Sequence, residues 1–303
     1  MWLWGFVPIN CQPFLRLLDR GVRFCHLGTN SFAEVRTIRE EFGALQEDEV
    51  LVSVVIPVHN GARFVCQAID SALIQNVPVE VLVVDDGSTD DLDKVMKKYR
   101  DAPRVRYLKN ETCMGVANTR NRAVSLAKGN YIAFLDADDY WMPGKLRLQL
   151  DLMNKTGAVL CSTARELILK DGTPTGHIIP VNPRISYRRQ LLHNQINCSS
   201  VLIKTEVARE FPMHHDDSHE DYLMWLEVLK KYRFACAVNQ PLLKYRISTT
   251  GKSGIKLKSA KMTFMTYRYM GFGFFKSCMC FCSYMFHGIA KWNEILLRRK
   301  GVK

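Results

Sequence analysis

Three carboxylates, Asp136, Asp138 and Asp139, close the apolar run Tyr131-Ile-Ala-Phe-Leu135. Like charges gathered at the end of a buried run repel one another unless a cation sits among them. Asp136 and Asp138 are two residues apart, so on extended backbone they project to the same side and can meet one metal ion. Their hard oxygens suit Mg2+ or Mn2+, with coordination positions left open for a substrate's phosphates. An acidic turn closing a strand is the alternative reading of the same residues. A second acidic pair, Asp85-Asp86, ends the run Val79–Val84, and a third, Glu220-Asp221, lies in His219-Glu-Asp-Tyr-Leu-Met-Trp225. On a helix, adjacent residues point about 100° apart, so one of Glu220 and Asp221 faces a cleft and the other does not. Ser218 with Asp221 also fits a helix cap, where acids are favoured by the dipole.

The elements that position these groups alternate between strand and helix. Val52-Ser-Val-Val-Ile-Pro-Val-His-Asn-Gly61 is an apolar strand entering a Pro/Asn/Gly turn, and Val79–Asp85 and Tyr131–Leu135 are two more strands. Helical patterns over 62–73, 92–99 and 116–127 separate them. This βαβ alternation predicts an open, mostly parallel sheet flanked by helices, with its ligand crevice at the carboxyl ends of the strands. Further on, a helix is expected over 144–153, strands over 158–162 and 199–204, and a hairpin of 164–170 with 175–179 about Asp171-Gly172.

Taken in order, Val52–Asn60, Val83-Val-Asp-Asp-Gly-Ser-Thr-Asp90, Gly115-Val-Ala-Asn-Thr-Arg-Asn-Arg122, Phe134-Leu-Asp-Ala-Asp-Asp139 and His219–Trp225 resemble the family 2 glycosyltransferases of the GT-A fold, of the kind that build bacterial surface polysaccharides such as teichuronic acid. The resemblance spans about residues 51–248 and implies a Rossmann-like nucleotide half, 51–141, followed by an acceptor half, 142–250. It implies an inverting transfer of a sugar from a nucleotide-diphosphate donor, with UDP the commonest nucleotide in the family, helped by a divalent metal. On that pattern Pro57, Val58, His59 and Asn60 border the base and ribose, and Asp86 accepts the base's imide N–H while Asp85 holds the following turn. Arg120, matching the family's Arg-Asn step, lies near the nucleotide. Asp138 is the direct metal ligand, and Asp136 reaches the ribose or the metal's shell. Asp221 is the general base, with Glu220 and Trp225 on the acceptor side, where Trp225 either floors the acceptor sugar or, the favoured reading, packs in the core. Tyr245-Arg246-Ile247-Ser248 matches a segment that folds over the donor phosphates in many relatives. Ser248 stands where a His often occurs, and residues 248–256 read as a mobile basic lid. A nucleotide-sugar-binding pseudoenzyme and a sugar-nucleotide nucleotidyltransferase are the alternative readings. No G-x-G-x-x-G follows the first strand, which argues against a dinucleotide enzyme.

Composition limits the setting. The ten cysteines form no C-x-x-C pair, and no secretory signal opens the chain, which point to a reducing cytoplasmic environment. Residues 244–303 hold thirteen Lys or Arg and one acid, which accounts for the whole formal net charge of +12. Aromatics interleave these bases, a pattern that suits an anionic membrane surface better than nucleic acid. The expectation is therefore no nucleic-acid partner. It is instead a peripheral protein on the inner face of the plasma membrane, using its helical, basic, aromatic-rich segment 251–303 to work on a lipid-linked acceptor. Packing of that segment on the enzyme's own core is the competing reading. Residues 1–50 read as an N-terminal extension of unassigned role, with one amphipathic helix capped by Ser31 and Glu34.

Overall fold

In this computed structural model the structure describes residues 52–247 and the backbone of 256–300, with the side chains of 256 and 289–300 outside that description. The N-terminal extension and the predicted lid, 248–255, therefore lie outside the described residues.

Four strands make the nucleotide half: β1 (Val52–Val58), β2 (Val79–Asp85), β3 (Val105–Lys109) and β4 (Tyr131–Phe134). They pair in the order β3-β2-β1-β4, all parallel. β2 is buried along its whole length and β1 almost so. That burial explains why both read as unbroken apolar runs rather than as alternating ones. β3 is half-exposed and carries Arg106 and Lys109. Those charges hid it from sequence reading.

The helices fall on two faces. α1 (Val65–Leu73), α2 (Leu92–Met96) and α4 (Lys145–Thr156) pack with Val54, Ile56 and Val81 on one side. α3 (Val116–Leu126), α6 (Thr205–Glu210) and α7 (Glu220–Tyr232) pack with Val55, Leu82 and Phe134 on the other. The helix after β1 and the helix before β4 lie on opposite faces, so the chain leaves a crevice between the ends of β1 and β4. Ligands bind at such switch points in open α/β sheets.

Beyond β4 the pairing turns antiparallel. β9 (Leu202–Lys204) runs against both β4 and β6 (Leu160–Ile168), and β7 (Pro174–Ile179) closes the expected hairpin on β6. β10 (Phe234–Arg246) lies parallel to β6 and receives β5 (Tyr140–Trp141) and β8 (Arg184–Ser186) antiparallel. The parallel pairing expected from sequence is thus continuous in the nucleotide half and recurs in the acceptor half only between β6 and β10. β10 is irregular about Pro241, which shifts its register on β6.

The C-terminal segment packs as a third layer. α8 (Lys256–Tyr269) and α9 (Phe274–Lys300) cover the outer side of α7 together with α5 (Tyr187–Leu192). Tyr222 of α7 donates its hydroxyl to the carbonyls of Gln190 and Leu191, and lies 3.1 Å from the Tyr267 hydroxyl of α8. The competing reading of the tail, as part of the core, therefore holds for its inner side.

One buried group makes the stability depend on pH. Lys145 is fully buried; its Nζ donates to Gln149 Oε1 at 2.7 Å and sits 4.1 Å from the centroid of Trp141. Burial pushes its pKa down to about 7 from the ordinary 10.5. Between these values the unfolded chain binds a proton that the folded chain does not, so stability rises with pH across that window. Lys145→Met is expected to stabilise the fold by about 1–4 kcal/mol at pH 7. It should also flatten the rise in urea midpoint between pH 7 and 9. An unchanged pH slope in the variant would contradict this account.

Candidate active site

The acidic turn grows directly from β4. Leu135 N–H donates to Val55 O at 3.0 Å, which extends the parallel ladder, and Asp136 N–H then donates to Ser199 Oγ at 3.1 Å. Asp139 N–H closes the turn on Asp136 O at 3.1 Å. Arg246, at the end of β10, holds this turn from behind. Its N–H donates to Asp139 Oδ1 at 2.8 Å and its Nε to Asp138 O at 2.7 Å. The rest of the guanidinium donates to Leu169 O, Lys170 O and Gln67 Oε1, and its centre lies 4.4 Å from the Phe64 ring centroid. Arg246 was expected over the donor phosphates. It is buried and committed to protein acceptors instead, so its work is to position Asp138 and Asp139.

Arg120 joins two of the acidic pairs. From the first turns of α3 its guanidinium reaches Asp136 Oδ1 at 2.6 Å and Glu220 Oε1 at 2.9 Å. A buried guanidinium needs such partners, because removing a charge from water costs several kcal/mol unless it is paired. The neighbouring residue Asn121 locks the approach to α7, donating to Met213 O at 2.7 Å and accepting Met213 N–H at 2.9 Å. Asp216, in the same approach, accepts Ala117 N–H at 3.2 Å. Its Oδ2 would lie 2.0 Å from a Cβ on Gly115, whose φ of +83° also favours glycine.

The acidic turn crowds its carboxylates in a buried setting. Burial and the charge of Asp136 push the Asp138 pKa up to about 6. Burial, followed by the charges of Asp138 and Asp136, also raises Asp139. Among the described residues Asp139 Oδ2 has no hydrogen-bond partner. Asp221 is half-buried at the start of α7. Burial and the neighbouring Glu220 raise its pKa, opposed by Arg120 and His219. A carboxylate with a raised pKa is a better proton acceptor than an ordinary one. Glu220 turns inward to Arg120, so the adjacent acids divide as the 100° helical step requires.

The ends of β1 and β2 meet in a single turn. His59 Nδ1 lies 2.9 Å from Asp86 O, and Asn60, at φ 55°, accepts Thr89 N–H on its side-chain oxygen at 2.8 Å. Val58 faces the core, so it can offer a nucleotide backbone only, and its carbonyl already accepts Asp86 N–H. Pro57 precedes it in β1 and is half-buried. Asp85 holds the turn through Ser88 N–H at 2.8 Å and accepts the Tyr107 hydroxyl at 3.0 Å. Asp86 is filled from inside the chain. Asn110 Nδ2 and Met114 N–H reach Oδ1, while Gly115 N–H and the Cys113 thiol reach Oδ2. Burial pushes Asp86 up, but these donors outweigh it and leave its pKa below the ordinary value. A base imide therefore has room at Asp86 only where the exposed Cys113 thiol, the weakest of the four donors, swings aside.

Trp225 does not floor an acceptor sugar. It is fully buried, 6.0 Å from Phe134 between ring centroids. α7 lies between the sheet and α8–α9, and that sandwich buries every residue from Tyr222 to Leu226. Tyr245 is half-buried, and the Asp139, Asp136 and Asp138 charges add to burial in raising its pKa, which places its ring beside the acidic turn. Sequence reading missed the contribution of the C-terminal helices. His219, next to the acidic pair, lies with Nε2 3.2 Å from both Ser259 O and Ser259 Oγ of α8. Tyr284 of α9 lies close enough to Asp221 for that carboxylate to help raise its pKa, after burial. It also missed Asn110 and Asp216, single polar residues in turns that carry no motif of their own.

A family model described as Glycosyl transferase family 2 matches residues 53–205. TuaG of Bacillus subtilis (strain 168), assigned to teichuronic acid biosynthesis, is 33% identical over 244 residues, 80% of this chain and 97% of its own length. The chain belongs to glycosyl transferase family 2. This glycosyltransferase is also 33% identical over 242 residues to WfaP of Escherichia coli. That match covers 80% of this chain and 95% of WfaP, named a UDP-Glc:alpha-D-GlcNAc-diphosphoundecaprenol beta-1,3-glucosyltransferase. Its fold is that of GT-A enzymes. S. aureus TarS in complex with UDP-GlcNAc superposes with a TM-score of 0.61 at 18% identity, over 73% of this chain and 65% of that one. The mannosyltransferase PcManGT of Pyrobaculum calidifontis, in complex with GDP-Man and Mn2+, gives a TM-score of 0.59 at 15% identity, over 80% of this chain and 72% of that one.

The residues of the glycosyltransferase's acidic turn fit a hard divalent ion in part. Among the described residues no three His, Cys, Asp or Glu side chains converge as a ready-made metal site. The turn instead offers Asp138 and Asp136, with the raised Asp138 pKa marking charge not yet balanced. Mg2+ is commonly held in this way, by one or two carboxylates with substrate phosphates and water completing its shell.

Proposed function

We propose that this glycosyltransferase is an inverting, metal-dependent enzyme of surface-polysaccharide synthesis. It would move a sugar from a UDP-sugar to a hydroxyl of a lipid-linked saccharide, working at the cytoplasmic face of the membrane. The observation that carries this reading is the double ion pair of Arg120. That guanidinium ties Asp136, in the acidic turn after β4, to Glu220, the neighbour of Asp221, and so supports a reading in which the two acidic groups serve one site. Support for the donor and acceptor comes from TarS binding UDP-GlcNAc and from the diphosphoundecaprenol acceptor in the name of WfaP.

The base and ribose lie against the turn formed by Pro57–Asn60 and Asp85–Asp86 at the switch point. Asp138 and Asp136 would hold Mg2+ or Mn2+, which would supply positive charge near the donor diphosphate. Asp221 takes the proton of the acceptor hydroxyl as that oxygen attacks the anomeric carbon from the face opposite the diphosphate. Glu220 and Arg120 fix the position of the base without touching the sugar. Arg246 and Tyr245 shape the acidic turn from behind. The two alternatives weaken together, because a pseudoenzyme has no need of a half-buried Asp221 with a raised pKa. A nucleotidyltransferase calls for a glycine-rich basic turn where this chain has Pro57-Val-His-Asn-Gly-Ala62.

Stereochemistry tests the reaction class. With an α-linked UDP-sugar and a synthetic sugar-diphosphate-lipid acceptor, the product is expected to carry a β linkage, read from the anomeric proton coupling. An α-linked product would overturn the assignment of Asp221 as base to a single displacement. Release of free sugar alone, with no glycosylated lipid, would overturn the acceptor class.

A further inference from the structure

The outer face of the C-terminal helices is apolar where a solvated helix is polar. On α9, Phe275, Met279, Cys282 and Phe286 recur at i, i+4, i+7 and i+11, which is one stripe of a helix. Phe275 is 89% exposed, Met279 64% and Phe286 73%, and Phe274 beside them is 63% exposed. Leu257, in the first turn of α8, is 84% exposed. On the opposite side of α9, Ser277 and Cys280 are buried and the Tyr284 ring lies 6.0 Å from the Tyr222 ring of α7. The helix therefore has two apolar faces, and the fold uses only one of them.

The surroundings of the free stripe identify its partner. Residues 256–288 contain five Lys or Arg and no Asp or Glu. Of these, Lys258, Lys261, Arg268 and Lys276 are exposed in the structure. A second copy of this chain would bring like charges together. An anionic bilayer complements them, drawing each base towards its headgroups while the aromatic side chains enter the acyl boundary. No helix among the described residues is long and apolar enough to cross a membrane. The stripe is thus suited to lying in the interface plane.

We propose that the outer face of α8–α9 is the docking surface for an anionic lipid bilayer. Its inner face is fixed to α7, so docking sets the Asp221 cleft in one orientation to the membrane. Three contacts make that connection: Tyr222 with Tyr267, His219 with Ser259, and the Tyr284 ring 6.0 Å from the Tyr222 ring between centroids. This surface gives the lipid-linked acceptor reading its physical route, and it rests on that reading for its purpose only.

The test is vesicle flotation of the full chain at low salt. Phosphatidylcholine vesicles are compared with phosphatidylcholine–phosphatidylglycerol mixtures. The wild-type protein is expected to float with the anionic vesicles only. The double variant Phe275→Ser/Phe286→Ser should bind them at least about tenfold more weakly, since each ring gives up the transfer of a large apolar side chain from water. Lys261→Glu/Lys276→Glu should weaken binding and lose its salt dependence. All these positions are exposed, and UDP binding measured on the same samples should be unchanged. Failure of wild type to bind anionic vesicles, or equal binding by the Phe variant, overturns the surface. So does a concentration-dependent dimer in sedimentation that the Phe variant abolishes. Loss of UDP binding in wild type would instead strike the functional reading, which keeps the two failures apart.

Discussion

Asp221→Asn is expected to lower turnover by roughly 10²–10⁴-fold, the usual contribution of a positioned general base, with UDP affinity close to wild type. The amide keeps the shape of the side chain and can still accept the Tyr222 N–H that Asp221 Oδ1 accepts at 2.7 Å. It cannot take a proton from the acceptor. Glu220→Gln should behave differently. It leaves buried Arg120 with one carboxylate partner in place of two, so it is expected to lower stability by about 3–5 kcal/mol, as breaking a buried pair does. Part of its activity should return at lower temperature, where more of the protein is folded. Steady-state kinetics beside urea denaturation separate the two. Should Glu220→Gln abolish turnover in fully folded protein while Asp221→Asn is nearly silent, the roles are reversed.

The nucleotide half was legible because its signals are local. Val79–Asp85 is apolar because both faces of β2 are covered, and Asp136 and Asp138 are separated by the spacing that lets extended backbone aim them together. Helical geometry also said that only one of Glu220 and Asp221 faces a cleft, while the choice of Asp221 as base came from the family resemblance. What escaped the sequence depends on contacts between distant segments. Trp225 lies one turn beyond Asp221, and its type left both a sugar platform and a packed core position open, the core position being the favoured reading. Only the covering of α7 by α8–α9 makes it core. Arg246 has the chemistry of a phosphate ligand, yet five acceptors from 67 to 170 converge on it and fix it in place. Arg122 donates to Lys109 O and Asn110 Oδ1 because β3, missed in the sequence, ends beside it. The tail was read as either membrane-seeking or core. A helix with two apolar faces satisfies both descriptions, and composition cannot tell which residues belong to which face.

The acidic turn gives the other large effect. Asp138→Asn removes a carboxylate whose ionised form burial and Asp136 already disfavour. Neutralising it relieves that repulsion, so the metal-free variant is expected to be at least as stable as wild type. Its loss of function would then owe nothing to unfolding. Metal ligands act through the substrate they hold, so the deficit should show in nucleotide binding before any chemistry. The direct measurement is calorimetric titration of UDP into wild type and Asp138→Asn, each with and without Mn2+. Wild type is expected to bind UDP more tightly with Mn2+, and the variant to lose at least about 10–100-fold of that gain, with equal metal-free affinities. Equal Mn2+-dependent affinity in the two proteins would contradict the account.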